Sequence, residues 1–157
     1  MFLGIDDNRL LHMREVGRLC YQLAADLFKW EESTCRQMFL MGFLHDVGYE
    51  FASNQSDHEF IGGELLAETN YTHSEPIRLH GNPNADLTDD RLFLLNLADM
   101  VVSGDGERIG FTRRLQGIAD RYGSESEQYD RALRVINGLR DELTRRGMAD
   151  LPVLEVD

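Results

Sequence analysis

Phe39-Leu40-Met41-Gly42-Phe43-Leu44-His45-Asp46-Val47-Gly48-Tyr49 is an apolar run with an adjacent histidine and aspartate near its end. An ionised carboxylate buried without a partner is prohibitively costly, so such groups pair, neutralise or bind metal. The run therefore demands partners for His45 and Asp46 from elsewhere in the chain. The expectation is that the pair are neighbouring ligands of a metal centre and that the fold brings the other ligands to them.

On the N-terminal side, Glu31, Glu32 and Ser33 signal a helix start, with Ser33 or Thr34 as cap. Cys35, Met38, Phe39, Gly42, His45 and Asp46 share a face of that predicted helix, and Gly48 is placed to end it. Earlier still, Asp6, Asp7 and Asn8 offer an N-cap and an acidic first turn for a helix running to about Phe28. Its residues His12, Val16, Leu19, Leu23 and Leu27 recur with the period of one buried stripe.

On the C-terminal side, 49–54 reads as a loop, and Ser56 or Asp57 caps a third helix. His58, Ile61, Gly62, Leu65 and Leu66 lie on one side of it, and Gly62 and Gly63 allow another backbone to approach closely. Ser74-Glu75-Pro76 opens a short fourth helix that reaches His80 before Gly81. His73 lies off any stripe and reads as a surface residue. Thr88 caps a fifth helix whose residues from Leu92 to Val102 are apolar nearly all round, which predicts the central, most buried element. Asp99 lies inside it, and a carboxylate there needs a cation or several donors. Phe111, Leu115, Ile118 and Tyr122 predict a sixth helix stopped by Gly123. Ser124 or Ser126 caps a seventh, with Tyr129, Leu133, Ile136 and Leu143 on one face and Gly147 at its end. The tail, 148–157, reads as irregular. With no alternating strand and no repeat, the chain is expected to be an all-α bundle of about six or seven helices in one domain, 1–157.

Composition narrows the function. A hydrophobic share of 42% and a charged share of 28% are those of an ordinary soluble globular protein. The formal net charge is −12, with Lys29 the only lysine beside fifteen arginines. That argues against binding a nucleic-acid polymer, which needs a basic surface. An anionic substrate would need local positive charge from metal ions or selected arginines. Cys20 and Cys35 form no CxxC pair and read as free core thiols in a reducing cytoplasm. Met1–Asp7 lacks a basic region and a long apolar stretch, so neither a signal peptide nor a membrane span is expected. The oligomeric state stays open, a homodimer included.

Taken singly, each polar residue on these stripes has an ordinary structural explanation. Together, His12, His45, Asp46, His58, His80 and Asp99 put four of the five histidines and two aspartates on inward faces of separate segments. Neutral imidazole and carboxylate are the ligands expected for Fe, Mn or Zn. Six of them suffice for two ions, and a carboxylate such as Asp46 can bridge the pair.

The order His…His-Asp…His…His…Asp on helices resembles the HD superfamily of metal-dependent phosphohydrolases. The residues that carry the resemblance are His12, the pair within Leu44-His45-Asp46-Val47-Gly48, and Asp99 within Leu97-Ala98-Asp99-Met100. Asp57-His58-Glu59-Phe60-Ile61-Gly62-Gly63 is similar to the family's His-x3-Gly segment, and Ile77-Arg78-Leu79-His80 to the fourth-histidine segment of its binuclear members. The match runs from about residue 9 to 103. The stretch from Ala98-Asp99-Met100 through Arg114 to Arg121-Tyr122-Gly123 also resembles a bacterial subset of small HD proteins whose substrates are mostly unassigned.

The resemblance implies an HD-domain helical bundle in which His12, His45, Asp46 and Asp99 form a primary metal site and His58 and His80 complete a second. It implies one or two divalent transition-metal ions, from Fe, Mn, Co, Ni or Zn, with Mg as a further candidate. The implied activity is hydrolysis of a small phosphate ester or anhydride, a nucleotide by expectation, through attack of a metal-bound hydroxide. Asp46 or Asp99 would serve as proton acceptor. Many HD hydrolases carry lysine three residues after the aspartate, where this chain has Tyr49. Tyr49, Arg78, Arg108 and Arg114 are the candidates for phosphate contact. Two alternatives use the same scaffold: di-iron oxygenases that cleave C–C or C–P bonds, and a regulatory HD domain that binds a nucleotide without turning it over.

Overall fold

In the computed structural model of the chain, which describes residues 1–156, Asp6 accepts a 2.7 Å hydrogen bond from the backbone N–H of Arg9 and opens α1 (Asp7–Asp26). There follow α2 (Glu32–Leu44), 3-10 turns at Val47–Glu50 and Gln55–Asp57, α3 (His58–Glu68), the short α4 (Ser74–Leu79), α5 (Asp90–Val101), α6 (Gly110–Tyr122) and α7 (Glu127–Arg145). A last 3-10 turn spans Pro152–Leu154. The described residues form no sheet, only isolated bridges between Val102 and Arg108 and between Gly110 and Glu155. The expected all-α bundle of about six or seven helices is what the described residues form, with seven helices. No helix among these residues is long and apolar enough to cross a membrane.

The apolar run from Leu92 to Val101 makes α5 the axis of the bundle. Leu92, Phe93, Leu94, Leu95, Leu97, Ala98 and Val101 are all buried, so every side of the helix faces protein. Helices α1, α2, α4, α6 and α7 pack around it. Asp89, one residue later than the expected Thr88, caps it by accepting from the N–H of Arg91 at 2.9 Å. Arg146, just past α7, ties that end of α5 down: it donates to Asp90 at 2.6 Å and lies over the Phe93 ring at 4.3 Å. Cys20 and Cys35 are free, buried thiols in this core, as read.

Helices α1 and α2 run antiparallel and touch backbone to backbone. His12 faces His45, Gly17 faces Gly42, and Tyr21 bonds Glu32 at 2.5 Å. A Cβ on Gly42 would lie 2.8 Å from Gly17 Cα and 2.9 Å from Val16 O, neither of which can turn aside. Gly42→Ala is therefore expected to push the helices apart and cost about 1–3 kcal/mol. Urea unfolding should show a lower midpoint; a midpoint equal to that of the native chain would contradict the close packing.

Three local expectations are corrected. The second helix stops at Leu44, with His45 as its C-cap, instead of running through Asp46 to Gly48. Gly48 lies in the 3-10 turn, where it serves close approach: an added Cβ would collide with the backbone carbonyl of His58 and come within 2.7 Å of Gly62 N. The glycines of α3 do allow such contact, Gly62 against Gly48 and Gly63 against the backbone of Arg78. His73 is buried and not a surface residue, because Arg91 donates to its Nδ1 at 3.2 Å and its Nε2 donates to Gln37 at 3.1 Å. The tail is not wholly irregular, since Leu154 is buried and Glu155 pairs with Gly110. Its last residue, Asp157, lies outside the described residues.

Candidate metal centre

Each histidine of the predicted set is fixed through one ring nitrogen. His45 caps α2, His58 follows the turn Gln55–Asp57, and His80 caps α4. In each case Nδ1 meets the backbone carbonyl three residues back: Gly42 at 2.6 Å for His45, Gln55 for His58 and Ile77 for His80. Carbonyls near a helix end are those left short of helical partners. His12, in mid-helix, reaches across the bundle to the carbonyl of Ser103 at 2.8 Å. A carbonyl only accepts, so all four rings carry their proton on Nδ1 and present Nε2.

The four Nε2 atoms converge on two carboxylates. Asp99 Oδ1 lies 3.0 Å from His12 Nε2 and 3.5 Å from His45 Nε2. Asp46 Oδ1 lies 3.4 Å from His45, 3.2 Å from His58 and 3.4 Å from His80, each measured to Nε2. All six residues are buried, and His45 Nε2 has no hydrogen-bond partner. A neutral ring protonated on Nδ1 offers only a lone pair at Nε2, and a carboxylate also offers only lone pairs. Lone pairs do not attract one another. Four imidazolium rings would solve this at the cost of packing like charges at 5.0–5.3 Å between neighbouring ring centres. Burial in fact lowers the pKa of His12 despite its contact with Asp99. For His45, burial works the same way, but Asp46 and Asp99 outweigh it and raise the pKa. A cation between nitrogen and oxygen turns each opposed pair into two ligands. The donor set therefore fits divalent metal.

Three groups of these side chains have ligand atoms within 4.8 Å of one another: His12, His45 and Asp46; His45, His80 and Asp99; Asp46, His58 and His80. The first and third follow the division that the resemblance implies, with Asp46 common to both, and the second straddles it. Burial raises the pKa of both aspartates, and positive charge on the facing histidines, the place that a bound cation would take, outweighs it and holds each well below the usual carboxylate range. The two carboxylates thus remain anionic at neutral pH.

A cleft of about 250 Å³ opens above the cluster, bounded by α6, α7 and the loop after α4. Of the four predicted contact residues, Tyr49 and Arg114 line it. The Tyr49 ring stacks on His58 at 4.0 Å between centres, and burial pushes its phenol pKa up, which keeps it a donor. Arg114 is largely buried, its Nε has no partner, and its nearest carboxylate oxygen is Asp99 Oδ1 at 3.9 Å. Arg78 and Arg108 lie elsewhere. Arg78 sits between Glu64 and Glu75 at 3.7 and 3.6 Å, and Arg108 donates to Glu15 and Gln22 at 2.6 and 2.5 Å. Three arginines that sequence reading missed do line the cleft: Arg9, Arg121 and Arg131. Arg9 donates to Asp46 Oδ2 at 2.7 Å, with its guanidinium 4.0 Å above the Tyr49 ring centre. Its spacing from His12, i and i+3 on one helix, was the signal that could have found it.

Comparisons with protein-family models, with curated proteins and with solved structures find no match to this chain.

Proposed function

We propose that this chain is a metal-dependent phosphohydrolase of the HD type, a single domain acting on a small phosphate ester or anhydride, nucleotides among them. The observation that carries the reading is the meeting of four Nδ1-protonated histidines with two carboxylates, every Nε2 facing a carboxylate oxygen with no proton between. His12, His45 and Asp99 would hold one divalent ion, His58 and His80 a second, and Asp46 would be shared. Such ions supply an acidified water and neutralise charge on a phosphoryl group.

The chain's own residues account for the rest. Arg114 and Arg121 line the cleft beside the carboxylates, and Arg114 is a mostly buried cation that lacks a bonded acceptor. A phosphoryl oxygen would supply one, in a protein whose overall charge of −12 otherwise repels anions. Arg9 is positioned by Asp46 and Tyr49 to meet the same group. Water adds to phosphorus as the bond to the leaving oxygen breaks. Asp99, whose close contacts all run through Oδ1, is the better-placed acceptor for the proton of that water. Asp46 Oδ2 is already committed to Arg9.

The test is a screen of phosphate esters and nucleotides with Mn, Fe, Co, Ni and Mg, run without oxygen and coupled to elemental analysis. Metal-dependent phosphate release is the expected result. In a parallel assay of the iron-loaded protein in air, oxygen uptake by a mixed-valent di-iron form would instead identify an oxygenase. Tight nucleotide binding without turnover under any metal would identify a regulatory domain.

A further inference from the structure

Arg131 stands on α7 at the edge of the cleft, one residue before Ala132 on the apolar face that docks this helix on the core. Its guanidinium bonds in two directions. Nη2 donates to Glu59 Oε1 at 2.8 Å, and Nε donates to Gly81 O at 2.7 Å. Glu59 follows His58 in the chain, is itself buried, and places Oε2 3.3 Å from His58 Nδ1. Gly81 follows His80, is buried at a φ of +69°, and donates its N–H to Asn96 Oδ1 on α5 at 2.9 Å. One planar cation thus spans the two segments that carry His58 and His80. His12 and His45 are seated separately, by the carbonyls of Ser103 and Gly42.

We infer that Arg131 is a positioning residue for the ion held by His58, His80 and Asp46, and that it acts by fixing the spacing of the two histidine segments. The inference rests on the two-ion reading above. The rigid guanidinium fork can make both bonds at once, whereas a lysine ammonium at the end of a flexible stem makes one of them at a time. Partners outside the ligand shell typically change metal affinity about 10- to 100-fold.

The experiment is calorimetric titration with Mn²⁺ of the native chain, Arg131→Gln and Arg131→Lys, with elemental analysis of the loaded proteins. Each change is also made in His12→Ala, where the surviving site is the one with His58 and His80, and in His80→Ala, where it is the other. Arg131→Gln should weaken Mn²⁺ about 10- to 100-fold in the His12→Ala background. In the His80→Ala background it should shift affinity less than about threefold, outside the range that such outer partners command. Arg131→Lys should fall between native and Gln, and it keeps the test open if Gln at this position impairs folding. Equal losses in both backgrounds would mark Arg131 as a general structural residue and overturn the inference. No loss in either would overturn it too. A native chain that binds two Mn²⁺ while Arg131→Gln behaves identically overturns this inference alone. A native chain that binds fewer than two overturns the two-ion reading and the inference with it.

Discussion

Asp46→Ala should leave the purified protein without bound metal and without activity. Asp46 is the one carboxylate that both outer ligand groups share, and its Oδ1 faces three of the four histidines. In the two-ion reading, removing it takes a ligand from each ion and the negative charge that both require. Losing only an outer partner typically weakens metal about 10- to 100-fold, so loss of the shared ligand should exceed about 100-fold. Stability gives a second readout. A ligand present at a hundredfold excess over its Kd stabilises the folded state by about 2.7 kcal/mol. In a chain of this size that is about 5–10 °C in melting temperature. Mn²⁺ should therefore raise the melting temperature of the native protein and leave that of Asp46→Ala unmoved. Asp46→Asn, which keeps an oxygen and loses the charge, should fall close to alanine. Unchanged metal content in Asp46→Ala would sink the central claim.

The sequence carried more of the site than of its surroundings, and the reason is physical. A histidine or aspartate on an apolar stripe contradicts the pattern around it. That contradiction is visible without coordinates, as with His12 four residues before Val16 or Asp99 inside α5. The structure brings all six such residues into one buried cluster. An arginine on a polar helix face contradicts nothing, so Arg121 and Arg131 look like any solvated charge until tertiary neighbours appear. Arg114 is intermediate. It falls between Phe111 and Ile118 at helical spacing, on the stripe itself, and it is the arginine found buried beside Asp99. Arg78 and Arg108, the other two arginine candidates, find carboxylates on neighbouring helices instead. Burial of His73 was illegible for a related reason: Gln37 and Arg91, which satisfy its ring, come from 36 and 18 residues away. The stop at Leu44 escaped because the apolar pattern continues past it. Past Leu44 the chain enters a 3-10 turn that sets Gly48 against α3, a contact no local pattern announces.

His80→Ala divides the centre where Asp46→Ala removes it. His80 turns Nδ1 to the carbonyl of Ile77 and Nε2 toward Asp46 Oδ1, so its loss strips one ligand from the group it forms with Asp46 and His58. His12, His45 and Asp99 keep their contacts, because His12 is seated by Ser103 and His45 by Gly42. The backbone at Gly81 also keeps its anchors in Asn96 and Arg131, so the loop should not collapse onto the vacated space. The expected protein is folded and carries one ion per chain, where the two-ion reading gives the native chain two. If both ions are needed to hold the phosphoryl group and its attacking water, activity should fall by at least about 100-fold at saturating metal. Metal-to-protein ratios by elemental analysis decide the matter, with circular dichroism as the check on folding. The straddling group of His45, His80 and Asp99 supplies the competing outcome. If His80 served that group, its loss would weaken the ion near His12 as well, and the ratio would drop toward zero. A ratio that stays at two would mean that His80 is not a ligand.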